Sequence, residues 1–249
     1  MRISRLLLLL LSLAAPARAA EPLVADLSNH LVAITTGFAG TEVLLFGAVD
    51  EPTPGRGADV VVVVRGPDHV ETVRHKARTG GVWINSGSAQ VAGAPSFYRV
   101  AATRDLSEIA STAVLARHQI GVEHLVLEVR SRDTAVSTAE YRSAMVRLKQ
   151  HQGLYGEDVQ DVGFLGRRLF RTDIHFPANV PVGTYLVEVY LVQGGEVVSA
   201  QTTPLVVSKI GLGADLYDFA HRSAVAYGII AVLAAALAGW LAAMVFGKG

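Results

Sequence analysis

The sequence predicts a mainly β protein. It is a β-sandwich of immunoglobulin-like pattern with an inserted amphipathic helix, followed by one C-terminal transmembrane helix. Three observations predict this. Short β-rich segments recur between Gly- and Pro-containing turns in two stretches, 20–103 and 161–209. Between them, in the mixed segment 104–160, Ser137-Thr138-Ala139-Glu140 opens a run with apolar residues at helical spacing. Last, Ala224 to Phe246 is a run of 23 residues without a charged side chain. At about 1.5 Å per residue it spans roughly 34 Å, enough to cross a hydrocarbon core of about 30 Å.

The chain opens as a secretory signal, residues 1–19. Arg2 and Arg5 precede the apolar run Leu6–Leu13, and Ala17-Arg18-Ala19 puts small residues at −3 and −1 of a cut before Ala20. The alternative is an uncleaved anchor, but so short a run does not span comfortably. Export plus one late span places the ectodomain in a bacterial periplasm and residues 247–249 in the cytoplasm. Lys248 in that tail agrees with the positive-inside rule.

Strands are expected at Leu31–Thr36, Thr41–Ala48 and Ala58–Arg65. The third carries five consecutive valines, which suit a strand buried on both faces. Further strands are expected at Val70–Arg78, Val82–Asn85 and Ser96–Thr103, with Gly80-Gly81 as a hairpin turn and Asn85-Ser86-Gly87-Ser88 as another turn. In 104–160, Asp105–Ala110 reads as a helical turn and Val122–Val129 as a strand. The capping box then leads into a helix with Tyr141, Ala144, Met145 and Leu148 on one stripe and Gly153 ending it. In 161–209, Phe170, Thr172, Ile174 and Phe176 alternate with polar residues. Thr184–Gln193 and Glu196–Ser208 form a long hairpin about Gly194-Gly195. Residues 210–223 remain as a juxtamembrane linker.

Several stretches occur together in a fixed order. They are Phe38-Ala39-Gly40-Thr41, Leu45-Phe46-Gly47-Ala48, Val82-Trp83-Ile84-Asn85, Pro95-Ser96-Phe97-Tyr98, Gly153-Leu154-Tyr155 and Pro177-Ala178-Asn179-Val180-Pro181-Val182-Gly183-Thr184-Tyr185, before the apolar span. In these the chain resembles, over nearly its whole length, an alphaproteobacterial family of transmembrane proteins with no assigned activity. The resemblance implies an inner-membrane protein with a periplasmic region and carries over no catalytic residues.

Basic and acidic groups balance at 22 each, against the basic excess of nucleic-acid binders. Setting aside Arg2, Arg5, Arg18 and Lys248 leaves 18 basic against 22 acidic groups, so the ectodomain carries −4. There is no cysteine, hence no disulfide, thiolate metal site or thiol nucleophile. The eight histidines lack the i, i+4 or i, i+2 spacing of compact metal pairs, His118 and His124 coming nearest. Neither a metal nor another cofactor is expected. No serine sits in a Gly-x-Ser-x-Gly elbow, and Glu157-Asp158 with Asp161 reads as a solvated polar loop.

Two features could bind something. With period 2, Arg74, Lys76 and Arg78 share one strand face and could hold an oxyanion such as sulfite or sulfate, an acidic partner or lipid head groups. The plainer reading is an edge strand guarded by charge, and Arg167-Arg168 with Arg171 is read the same way. On the apolar span, Gly228, Ala231, Ala235, Gly239 and Ala243 fall on one helical face, opposite Ile229, Leu233, Leu237, Trp240 and Met244. Small faces let helices approach closely in lipid. The expected function is therefore a non-enzymatic accessory or interaction subunit of an inner-membrane complex such as a transporter, docking or self-associating through that helix. A tethered periplasmic solute- or anion-binding protein is the alternative, and an enzyme with an unfamiliar site ranks last.

Overall fold

The computed structural model describes residues 22–50, 57–132, 136–211 and 219–246. The segments expected as a signal peptide, 1–19, and as a cytoplasmic tail, 247–249, lie outside these residues. A four-stranded sheet has the order β1 (Leu23–Leu27), β3 (Gly40–Val49), β11 (Leu169–Pro177), β10 (Gly163–Leu165). A six-stranded sheet has the order β2 (Leu31–Ile34), β13 (Glu196–Lys209), β12 (Gly183–Gln193), β4 (Ala58–Arg65), β7 (Tyr98–Ala102), β9 (Gln160–Asp161). Both draw strands from 20–103 and from 161–209, so the two β-rich stretches build one structure. A third sheet holds β5 (Asp68–Thr79), β6 (Val82–Pro95) and β8 (Glu128–Ser131).

The two larger sheets share one apolar core. Phe170, Thr172, Ile174 and Phe176 of β11 are buried as the period-2 pattern requires. The ring of Phe97 stacks on Phe176 at 5.1 Å and tilts onto Tyr185 at 5.7 Å, joining the sheets. At one edge the side-chain amide of Gln201 on β13 accepts from Ala25 N at 2.8 Å and donates to Ala25 O at 2.7 Å, tying β13 to β1. Val60 to Val64 on β4 are all buried. One side of their sheet meets the shared core; the other is covered by the helical insertion. That insertion contains α1 (Leu106–Ile109), α2 (Thr112–Arg117) and a 3-10 turn at Val122–His124. It is pinned by the His118 ring against Tyr190 at 5.3 Å and by the Tyr98 hydroxyl donating to Gln119 O at 2.8 Å.

The amphipathic helix is α3 (Thr138–His151), with Ser137 Oγ accepting from Glu140 N at 3.2 Å as its cap. Its buried line differs from the expected stripe. Tyr141, Met145 and Lys149 face inward, whereas Leu148 is 54 % exposed. Lys149 replaces Leu148 because Glu71 of β5 lies opposite and takes its ammonium at 2.5 Å, so the buried charge is paired. Three other expectations change. The stretch 122–129 is the 3-10 turn followed by β8, since Gly121 at φ +99° redirects the chain. Ser86 is no turn; it is an extra residue bulged from β6 between Asn85, opposite Lys76, and Gly87, opposite His75. Both β1 and α2 escaped the pattern because five and six residues carry too little periodicity.

The last helix, α4 (Ala224–Phe246), coincides with the apolar run. Its described side chains are exposed to the surroundings along their length, and no membrane-sized helix other than this one occurs among the described residues.

Candidate functional site

Arg74, Lys76 and Arg78 lie on β5, an edge strand of the third sheet, and all three are exposed. The ladder keeps them on one face: Arg74 is opposite Ser88, Lys76 opposite Asn85 and Arg78 opposite Trp83. Among the described residues none of the three is held by an ion pair. Edge position and charge fit protection against strand addition. Period 2 in the sequence gives the shared face of the cations and says nothing of what surrounds them.

What surrounds them is a long two-stranded ribbon. Arg65 of β4 pairs with Tyr98 of β7, and Asp68 of β5 pairs with Pro95 of β6. In between, Gly66 N donates to Phe97 O and Ser96 N donates to Pro67 O, both at 2.8 Å. The ladder of the large sheet therefore runs unbroken into the hairpin. Gly66 is required at this root, because a Cβ there would collide with Ser96 Oγ and lie 3.1 Å from the Tyr185 ring. The inner half of the ribbon packs beneath α3 and pairs with β8 at Ala89–Ala92. The outer half has only its own two strands and ends at Gly80-Gly81, where Val82, Trp83 and Ile84 are 64 %, 65 % and 47 % exposed.

On α4 the helix places Gly228, Ala231, Ala235, Gly239 and Ala243 along one side. A Cβ placed at Gly228 or Gly239 would meet nothing within 4 Å.

The histidines are scattered. His30 meets Asp26 at 3.0 Å, His75 meets Ser86 Oγ at 3.2 Å, and His118 lies against Tyr190. No group of three potential metal ligands occurs among the described residues. An open recess of about 500 Å³ holds Asp59, Arg104 and Glu108 at the end of the sheet where β12 turns into β13. There the Arg104 guanidinium, followed by Thr103, holds the Asp59 carboxyl below the usual carboxylate range against its burial. That is a satisfied structural pair.

Buried polar side chains at the ribbon root are Ser96, Tyr98, Tyr155 and Tyr185, and Tyr190 lies farther along β12. Burial raises the hydroxyls of Tyr98 and Tyr155 well above the ordinary value and pushes those of Tyr185 and Tyr190 up to about 12. The folded chain thus holds these protons more tightly than the unfolded one, whose tyrosines ionise near pH 10. The stability they support is complete below about pH 10 and is lost as pH rises through the folded values. Urea midpoints are expected to stay level to about pH 9 and to fall steeply above about pH 10. Tyrosinate absorbance from these four should appear together with unfolding. Full tyrosine ionisation near pH 10 with the fold retained would contradict this.

A family model described as Putative transmembrane protein, Alph_Pro_TM, matches residues 22–248. No match was found among curated proteins. The family description and the apolar helix agree: this is a membrane protein with a β-rich body and one C-terminal apolar helix among the described residues.

Proposed function

Since the chain belongs to the Alph_Pro_TM family of transmembrane proteins, we propose that it is a non-enzymatic, membrane-anchored accessory or interaction subunit of an inner-membrane complex such as a transporter. In this reading the signal peptide is removed, the β-rich body stands in the periplasm and α4 crosses the inner membrane once, as a type I protein. The observation that carries it is the two-faced α4, with a row of small residues against a bulky arc. Without a hydrophobic drive between helices in lipid, close packing along such a row is what brings spans together. The strand orders favour an immunoglobulin-like interaction module: β1-β3-β11-β10 follows the A-B-E-D pairing and β13-β12-β4 the G-F-C pairing of that sandwich.

Gly239→Leu with Ala235→Leu is expected to abolish recovery of the membrane partner, or of a second tagged copy, in a mild-detergent pull-down, while the body stays folded. Equal recovery from wild type and variant would exclude α4 as the docking surface. The second reading is a tethered solute- or anion-binding protein, favoured by the three solvent-facing cations on β5. Saturable sulfate binding alongside equal recovery would select it.

A further inference from the structure

We propose that the tip of the β5–β6 ribbon is a second membrane contact, an apolar finger that enters the interface of an anionic bilayer while Arg74, Lys76 and Arg78 meet its phosphate head groups. This rests on α4 being the membrane anchor.

β4 runs antiparallel to β12, and β12 antiparallel to β13, so β4 and β13 point the same way. β13 leads through 210–223 into α4; β4 leads straight into the ribbon. The two exits sit at one end of the sheet, since Leu186 pairs with both Arg65 and Pro204, and a Cβ on Gly183 would press on Pro67 at 2.7 Å. The ribbon therefore leaves the body on the side where the chain goes to the membrane.

Of the connection from Lys209 to Ala224, Ser223 N donates to Phe219 O, so its last turn is helical. A connection of fourteen residues whose last five are helical can span at most about 40 Å. The twelve residues of β5 rise about 40 Å at roughly 3.3 Å each. The finger is as long as the widest gap its tether permits.

Residues 74–88 contain three cations and no acidic residue, whereas the rest of 20–223 carries 15 basic against 22 acidic groups. The finger has the charge opposite to the body that bears it. Its end exposes Val82 and Ile84, with Trp83 on the face of Arg78 and Lys76. A tryptophan beside cations at an apolar end is the composition of an interfacial anchor. Arg and Lys stems can lie along the acyl boundary with their heads at phosphate level. An acidic protein would satisfy the cations without using the bare apolar end, so the bilayer is the better fit.

The test uses the full chain in nanodiscs. The sequence has two tryptophans, so Trp240→Phe leaves Trp83 as sole reporter. Trp83 emission is expected to be quenched by lipid brominated near the head group in phosphatidylglycerol discs, and to be much less quenched in phosphatidylcholine discs. Each cation near an anionic surface is worth roughly fivefold in partition, so reversing Arg74, Lys76 and Arg78 to Glu should abolish the quenching. Absence of Trp83 quenching in anionic discs overturns the proposal, and so does equal quenching in neutral discs. Protection of Trp83 only when an acidic protein is added would replace the bilayer with that partner. The Trp83→Phe chain reports Trp240 in the same discs. Quenched Trp240 with unquenched Trp83 sinks the finger alone, whereas two unquenched tryptophans sink the anchor as well.

Discussion

Phe97→Ala is expected to destabilise the body by about 3–5 kcal/mol, the usual range for removing a buried aromatic. Phe97 is fully buried and joins the layers, touching Phe176 of β11 and Tyr185 of β12. It also lies in the ladder that turns β4 and β7 into the ribbon, through its carbonyl and Gly66 N. Loss of the ring should therefore lower the urea midpoint and loosen the ribbon root together. The measurement is urea unfolding of the chain in micelles, with hydrogen exchange at Gly66 and Tyr98 as the local readout. A loss under about 1 kcal/mol would mean the site collapses around the missing ring and that Phe97 is not the link between the sheets.

Arg65→Ala should cost about 3 kcal/mol. Its Nη2 donates to His118 O at 2.8 Å and Gln119 O at 2.9 Å, and its Nε lies 3.0 Å from Glu188 Oε2. Only 17 % of the Arg65 side chain and 22 % of that of Glu188 is exposed. Without the guanidinium, Glu188 is left as a half-buried charge and two carbonyls lose donors. Arg65→Lys should recover only part, because an ammonium cannot span the fork of acceptors. Arg65→Met with Glu188→Leu should recover more than Arg65→Ala alone, since it removes the stranded charge as well. A single-variant loss within about 0.5 kcal/mol would place the insertion's anchorage elsewhere.

Arg65 also shows where sequence reading stops. It closes the run of five valines and reads there as the polar end of a strand. Its acceptors are 53 and 54 residues away, held by Gln119 at φ +51°. Nothing local signals that meeting. Lys149 is similar: helical spacing nominated Leu148, and only Glu71, 78 residues distant, explains why the stripe shifts by one position. The ribbon is half legible. Gly80-Gly81 gives its turn and period 2 gives the cationic face, but Asn85-Ser86-Gly87-Ser88 reads as a turn because a bulge interrupts the alternation.

Local pattern along the chain specifies the membrane helix, most strands, the helix cap and the cation row. Each follows from a period or a run within a few residues, and such signals are set by local backbone geometry and by apolar length. Tertiary structure alone decided that both β-rich stretches share their sheets and that β4 and β13 leave the body at one end. It also decided that the finger carrying Trp83 and the three cations stands beside the exit of β13 toward α4. Those outcomes depend on pairing between residues far apart in the chain, whose register is chosen by burial of the whole core and not by any segment's own pattern.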